Sequence, residues 1–255
     1  MMKLNALTIT MVIAIMTLPL HSANELRELS TDRPDTTESP YTVDAGHFQF
    51  EMEIANATRD GSQREFSLGE INAKIGLDRS TDLQLVLPFY SRVQNGGEGF
   101  GDVQLRLKHN LWGNDEGSTA FAVMPFIQLP TANGDLGNGD YEGGIIVPFA
   151  FEGPNGWACA VMAEVDFESD EGGKGYHLSA LASATASHSV TENTAIFLEI
   201  VGIKSAETTE DFEAYFNTGA TWSMTPNWLL DGGIRVGLTD SSTDFTPFLG
   251  VSTKF

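Results

Sequence analysis

The sequence predicts an all-β fold, a transmembrane antiparallel up-and-down barrel of about twelve strands. Three observations predict it. Apolar and polar residues alternate with a period of two from Ala45 onward. The alternating segments are long, most reaching the roughly 9–11 residues that a tilted strand needs to cross a bilayer. Ordinary globular strands have a mode of about 5–6 residues. Longer and shorter connections also follow one another in strict turn, as in a barrel with outer loops at one end and tight periplasmic turns at the other.

The first strand shows the pattern plainly: Phe48, Phe50, Met52 and Ile54 alternate with Gln49, Glu51 and Glu53. Leu83, Leu85, Leu87 and Phe89 stand against Asp82, Gln84, Val86 and Pro88. Val103, Leu105 and Leu107 stand against Gln104, Arg106 and Lys108. Alternation of this kind gives one apolar face and one polar face. The predicted strands are 46–57, 64–77, 81–92, 101–112, 119–129, 141–152, 157–167, 176–188, 194–203, 212–224, 228–238 and 244–255. An even count leaves both ends of the barrel chain on the periplasmic side.

The predicted outer loops are 58–63, 93–100, 130–140, 168–175, 204–211 and 239–243. They are rich in glycine and acids, among them Asp60, Glu98, Asp135, Asp140, Glu171, Glu207, Glu210 and Asp240. The shorter turns are 78–80, 113–118, 153–156, 189–193 and 225–227. All four tryptophans, Trp112, Trp157, Trp222 and Trp228, lie beside these turns. Tyr141, Phe167, Tyr176, Phe212 and Phe245 lie near the longer loops, so two aromatic belts are expected.

Three stretches fall outside the strand pattern or mark its end. Residues 1–23 are expected to be a signal peptide, with Lys3, an apolar run from Leu4 to Leu20 and a small-residue exit at Ser22-Ala23. Residues 24–45 are polar and carry Asp32, Pro34, Asp35, Glu38 and Pro40, which a strand in lipid does not tolerate. They are read as a periplasmic lead-in or as a plug folded into the lumen, ahead of a barrel over 46–255. The last strand ends in Phe255, an aromatic end of the type that outer-membrane assembly machinery recognises, so that machinery is an expected partner together with the outer-membrane bilayer.

Bulk chemistry excludes several classes. The formal charge of −21 becomes −22 once the segment carrying Lys3 is removed, and such a surface repels nucleic acid. A lone cysteine, Cys159, makes no internal disulfide. No cofactor, metal site or catalytic residue is expected: the histidines are scattered, and no Gly-x-Ser-x-Gly or phosphate-binding glycine loop is present. His177 with Ser179 is the closest approach to a catalytic pair. The loop runs Asn133-Gly134-Asp135 and Asn138-Gly139-Asp140 carry oxygen ligands of the kind that bind Ca²⁺, but a solvated hairpin tip is the better account of them.

Polar residues on the other face are expected to line the lumen, chiefly Glu51, Glu53, Asp102, Arg106, Lys108, Glu142, Glu164 and Arg235. Two readings of them stay open. They form a watered pore with mild cation preference, or they are ion pairs filling a narrow barrel.

One set of motifs resembles a known family. Leu29-Ser30-Thr31-Asp32-Arg33-Pro34-Asp35 leads through Ser39-Pro40-Tyr41 into Gly46-His47-Phe48-Gln49-Phe50-Glu51. Further echoes are Leu85-Val86-Leu87-Pro88-Phe89, Gly99-Phe100-Gly101-Asp102-Val103 and Thr225-Pro226-Asn227-Trp228. This resembles the bacterial outer-membrane transporters of the MetA-pathway phenol degradation family. The resemblance implies a β-barrel with passive passage of small solutes, aromatic or other organic compounds among them. Without it, the residues alone leave a channel, a non-transporting surface barrel and, last among barrels, a barrel enzyme, with a secreted soluble β-protein as a fourth reading.

Overall fold

A computed structural model describes residues 26–137, 139–170, 175–207 and 211–255. The predicted signal segment lies outside the described residues, as do Glu171, Glu210 and Asn138 of the predicted loops.

Twelve long strands and one short one follow each other along the chain: β1 (Phe48–Asp60), β2 (Gln63–Gly76), β3 (Thr81–Val93), β4 (Glu98–Gly99), β5 (Val103–Trp112), β6 (Thr119–Leu129), β7 (Glu142–Glu152), β8 (Ala158–Ser169), β9 (Tyr176–Ser189), β10 (Thr194–Ser205), β11 (Glu213–Thr225), β12 (Trp228–Gly237) and β13 (Phe245–Lys254). Every long strand pairs antiparallel with its sequence neighbours, and β1 pairs with β13, so the sheet closes on itself. Closure removes the free edge strands whose unpaired amides would meet hydrocarbon, save where β3 parts from β5.

All twelve predicted strands are present. Two connections differ from expectation. The first outer loop is only a Gly61-Ser62 turn, because β1 and β2 run on through Asp60 and Gln63. The second contains the two-residue β4, which pairs Glu98 and Gly99 with Arg92 and Ser91 of β3. Beyond Val86, β3 leaves β5, and one hydrogen bond from Gly101 N to Pro88 O, 3.2 Å, spans the gap. Pro88 has no amide to give the ladder, which is why the wall is interrupted there.

The two faces sort as the alternation requires. Phe50, Leu105, Leu107, Ile145, Val165, Leu198, Ile200 and Leu249 are exposed on the outside, whereas Glu51, Lys108, Glu199 and Asp231 are buried inside. An exterior this apolar suits hydrocarbon, and burying the acids and amines inward keeps charge out of it. Trp112, Trp222 and Trp228 are exposed at the short-turn end. Tyr141, Phe167, Tyr176 and Phe212 are exposed at the long-loop end, completing the two girdles.

The alternation changes phase once in β1. A register shift against β13 lies between Glu53 and Ala55, so Glu53 and Asn56, three residues apart, both point inward and hydrogen-bond. Such bulges re-aim side chains at barrel walls. The inner face is also less polar than the sequence suggested. Met124, Ile146 and Met162 form a buried inward cluster with Phe126 and Leu181, and Phe197 and Phe248 are buried inside as well.

Candidate functional site

Residues 26–45 do not trail away from the barrel. They enter it at the short-turn end, reach the middle, and return. At the entrance the Arg27 guanidinium binds Asp115 at 2.7 Å and donates to the Arg79 carbonyl at 2.7 Å, both in short turns. Lys254 donates to the Arg27 carbonyl.

In the middle of the barrel much of the segment meets charged wall residues. Asp32 accepts from Lys108 at 2.5 Å and from Lys74, which also binds Glu51. The Asp32 amide donates to Glu51 at 2.9 Å. Arg33 reaches Glu53 at 3.1 Å and Asp231 at 2.8 Å. Glu199 accepts from the Thr36 amide at 2.9 Å and from the Thr37 amide and hydroxyl at 2.7 and 2.6 Å. Glu38 binds Arg106 at 2.6 Å. On the way out, Asn110 donates to the Pro40 carbonyl at 2.8 Å, and the Val43 amide donates to Asp82 at 3.0 Å.

These contacts explain why buried charges are tolerated. A buried ion is stable only when paired and hydrogen-bonded, and removing one partner of such a pair costs about 3–5 kcal/mol. Burial opposes the charge of Asp32, yet Lys108 and Lys74 beside it hold its carboxyl well below the usual carboxylate range. Burial and nearby Glu199 push Asp35 the other way, up to about 8. Burial and Asp32 push Glu38 up to about 7, against the pull of Arg106.

The residues expected to line the lumen divide into three groups. Glu51, Glu53 and Lys108 hold the entering segment. Arg106, Glu142, Glu164 and Arg235 lie nearer the long loops. Of these, Arg235 binds Glu53 at 3.0 Å and lies over the Phe248 ring at 4.6 Å. Glu142 accepts from Gln128 at 2.9 Å and from the Ser169 amide at 3.0 Å. Glu164 stands opposite Ile146 and Leu181 in the ladders of β7 and β9. Asp102, just ahead of β5, takes a different part: it accepts from the Thr131 and Ala132 amides at 2.7 Å each and ties down the following loop.

Sequence reasoning missed Lys74, Asp32, Arg33 and Glu199 as a connected set. Lys74 and Glu199 each sit alone among small and apolar neighbours, and the segment has no periodicity to aim it. His177 is drawn into carboxylates at the rim: Asp170 at 3.1 Å, Glu168 at 3.3 Å and Glu207 at 3.5 Å. Asp170, His177 and Glu207 are the group of metal-ligating side chains found among the described residues.

The interior is not filled. Glu70 pairs with Glu53 across β1 and β2 and so points inward, yet it is exposed, which places open space in the long-loop half. A gap of about 360 Å³ runs beside the segment in the short-turn half, between it and the wall from β7 to β12.

Residues 31–255 match the family model described as "Putative MetA-pathway of phenol degradation". No curated protein matches the sequence. Among solved structures, the COG4313 outer membrane channel from Pseudomonas putida F1 is similar, with a TM-score of 0.64, 16% identity, and 89% of this chain and 100% of that chain covered. The NanC porin is similar with a TM-score of 0.59, 10% identity, and 81% and 100% covered. At these identities the likeness is one of fold, and the fold is that of outer-membrane channels.

Proposed function

Because the chain belongs to the phenol-degradation family just described and spans the outer membrane as a closed barrel, we propose that it is a passive channel for small organic solutes, phenol-like aromatics among them. One observation carries the reading: the barrel keeps open space on both sides of its folded-in segment, with inward Glu70 exposed on one side and the 360 Å³ gap on the other. A barrel serving only as a surface structure has no reason to hold space open, since twelve strands can be filled with larger side chains.

Passage runs down a gradient. The solute class follows from a mixed lining. The partly buried Phe126 and Leu181 offer apolar surface, and Glu142, Glu164 and Arg235 hold an aqueous path around them. Residues 26–45 act as an interior constriction held by Glu51, Glu53 and Lys108. No catalytic step belongs to this reading, and His177 is engaged by rim carboxylates. The alternation of β13, with Phe245 and Leu249 outward and Thr246 and Ser252 inward, supports its recognition by outer-membrane assembly machinery.

Purified protein refolded into planar bilayers tests the channel. Discrete conductance steps are expected. A correctly folded barrel that stays silent overturns the reading.

A further inference from the structure

The folded-in segment divides the short-turn half of the barrel unequally. It is tied to β1, β2, β3 and β5 through Glu51, Lys74, Asp82 and Lys108, to β10 and β12 through Glu199 and Asp231, and near mid-barrel to β8 and β9 through Met162 and Ser183. Between the first two sets of ties the wall carries small side chains, Ala150, Ala160, Thr185, Ala195 and Thr221. Opposite them the segment presents Pro34 and Asp35. The space left between is the 360 Å³ gap, and it reaches the short-turn rim at Gly117 and Ser118. Cavities of about 300–1,000 Å³ are the size that receives small organic ligands.

Resting on the channel reading, we propose that solute crosses the periplasmic half through this gap, with the segment in place, and that the small residues of β7–β11 together with Pro34 and Asp35 set the size and polarity of what passes. The alternative is that the segment leaves the barrel to open it. The ties weigh against departure: it would strip Asp32, Arg33, Thr37 and Glu38 of their partners in one event and leave Lys108 without its ion-pair partner.

The gap also has a polar character. Asp35 faces Glu199 of β10 and Thr185 of β9, with Asp32 of its own segment nearby. The neighbouring cations are taken: Lys74 and Lys108 by Asp32, Arg33 by Glu53 and Asp231, Arg106 by Glu38. Asp35 holds its proton in the fold at pH 7 and the lining ions Arg33 and Glu38 are paired, so the gap suits neutral organic solutes.

Single-channel conductance of three variants tests this, each first shown to fold by its heat-dependent gel mobility. Ala160→Trp, filling the gap, is expected to lower conductance severalfold, and Thr221→Trp serves should that variant not fold. Ala163→Trp, on the outward face of the same strand, is expected to leave it unchanged. The third, Thr37→Cys with Ser183→Cys in a Cys159→Ser background, locks the segment to the wall where the two hydroxyls now stand 2.7 Å apart. Equal conductance before and after oxidation is expected. Conductance lost on oxidation and recovered on reduction overturns the proposal, as does an undiminished current in the gap-filling variants. A wild-type barrel with no current at all instead refutes the channel reading beneath it.

Discussion

The interior is organised around one carboxylate. Asp32 pairs with two wall lysines at once; Lys74 also holds Glu51, so Asp32→Ala strands Lys108 in a buried site. A loss of about 3–5 kcal/mol is expected, the cost of breaking a buried pair, read from the urea midpoint of the refolded barrel in detergent. A loss under about 1 kcal/mol, as for an exposed pair, would mean that water already reaches the site. Asp35 behaves in the opposite way. Its usual value is 3.8, and burial with Glu199 raises it to about 8 in the fold. Between those values the folded chain holds a proton that the unfolded chain has lost, so stability falls as pH rises from about 4 to about 8 and levels beyond. Asp35→Asn removes this slope: the variant matches the parent at pH 4 and exceeds it at pH 9. Parallel curves for the two proteins would contradict the assignment.

At the scale of the strand, the lipid face is where charge is least tolerated. Ile200 is 60% exposed at the middle of β10 and points outward. Ile200→Arg is expected to cost about 2–4 kcal/mol, the range for a basic side chain near the midplane of a lipid-facing strand, measured by unfolding from liposomes. A neutral result would place that face against protein rather than lipid. Gly76 tests the joint between segment and wall. A Cβ there would lie 2.0 Å from the Asp44 carbonyl oxygen, beside the parallel bridge between Ala45 and Gly76. Gly76→Ala therefore displaces the returning segment, and faster hydrogen exchange at the Val43 amide reports it. The strands themselves were legible in the sequence because period two repeats over lengths that random alternation does not sustain. β4 was not legible, since two residues carry no period. Nor was the inward position of Met124 and Ile146: β6 and β7 are apolar on both faces, so parity has nothing to distinguish in them. Phe248 inside β13 escaped for the same reason, standing among outward Pro247 and Leu249.

Across the whole molecule, two readings of the polar face stood open, a watered pore and a lumen filled by paired ions. The structure contains both, in different halves. Paired ions crowd the short-turn half on one side of the gap, and most of these pairs take one member from residues 26–45, whose course no local pattern foretold. Pro34 and Pro40 said only that this segment was no membrane strand. Its destination depended on Glu51, Lys74, Lys108, Glu199 and Asp231, far apart in sequence and brought together only by closure of the sheet. The long-loop half stays open around Glu70, Arg106 and Arg235. Passage through a barrel built this way is the claim on which the rest stands, and liposome swelling addresses it most directly. Vesicles holding the refolded protein, placed in isosmotic solutions of small neutral solutes such as phenol-sized aromatics and sugars of increasing size, are expected to swell with the smallest solutes and progressively less with larger ones. Vesicles that never swell, though the barrel within them is folded, would contradict it.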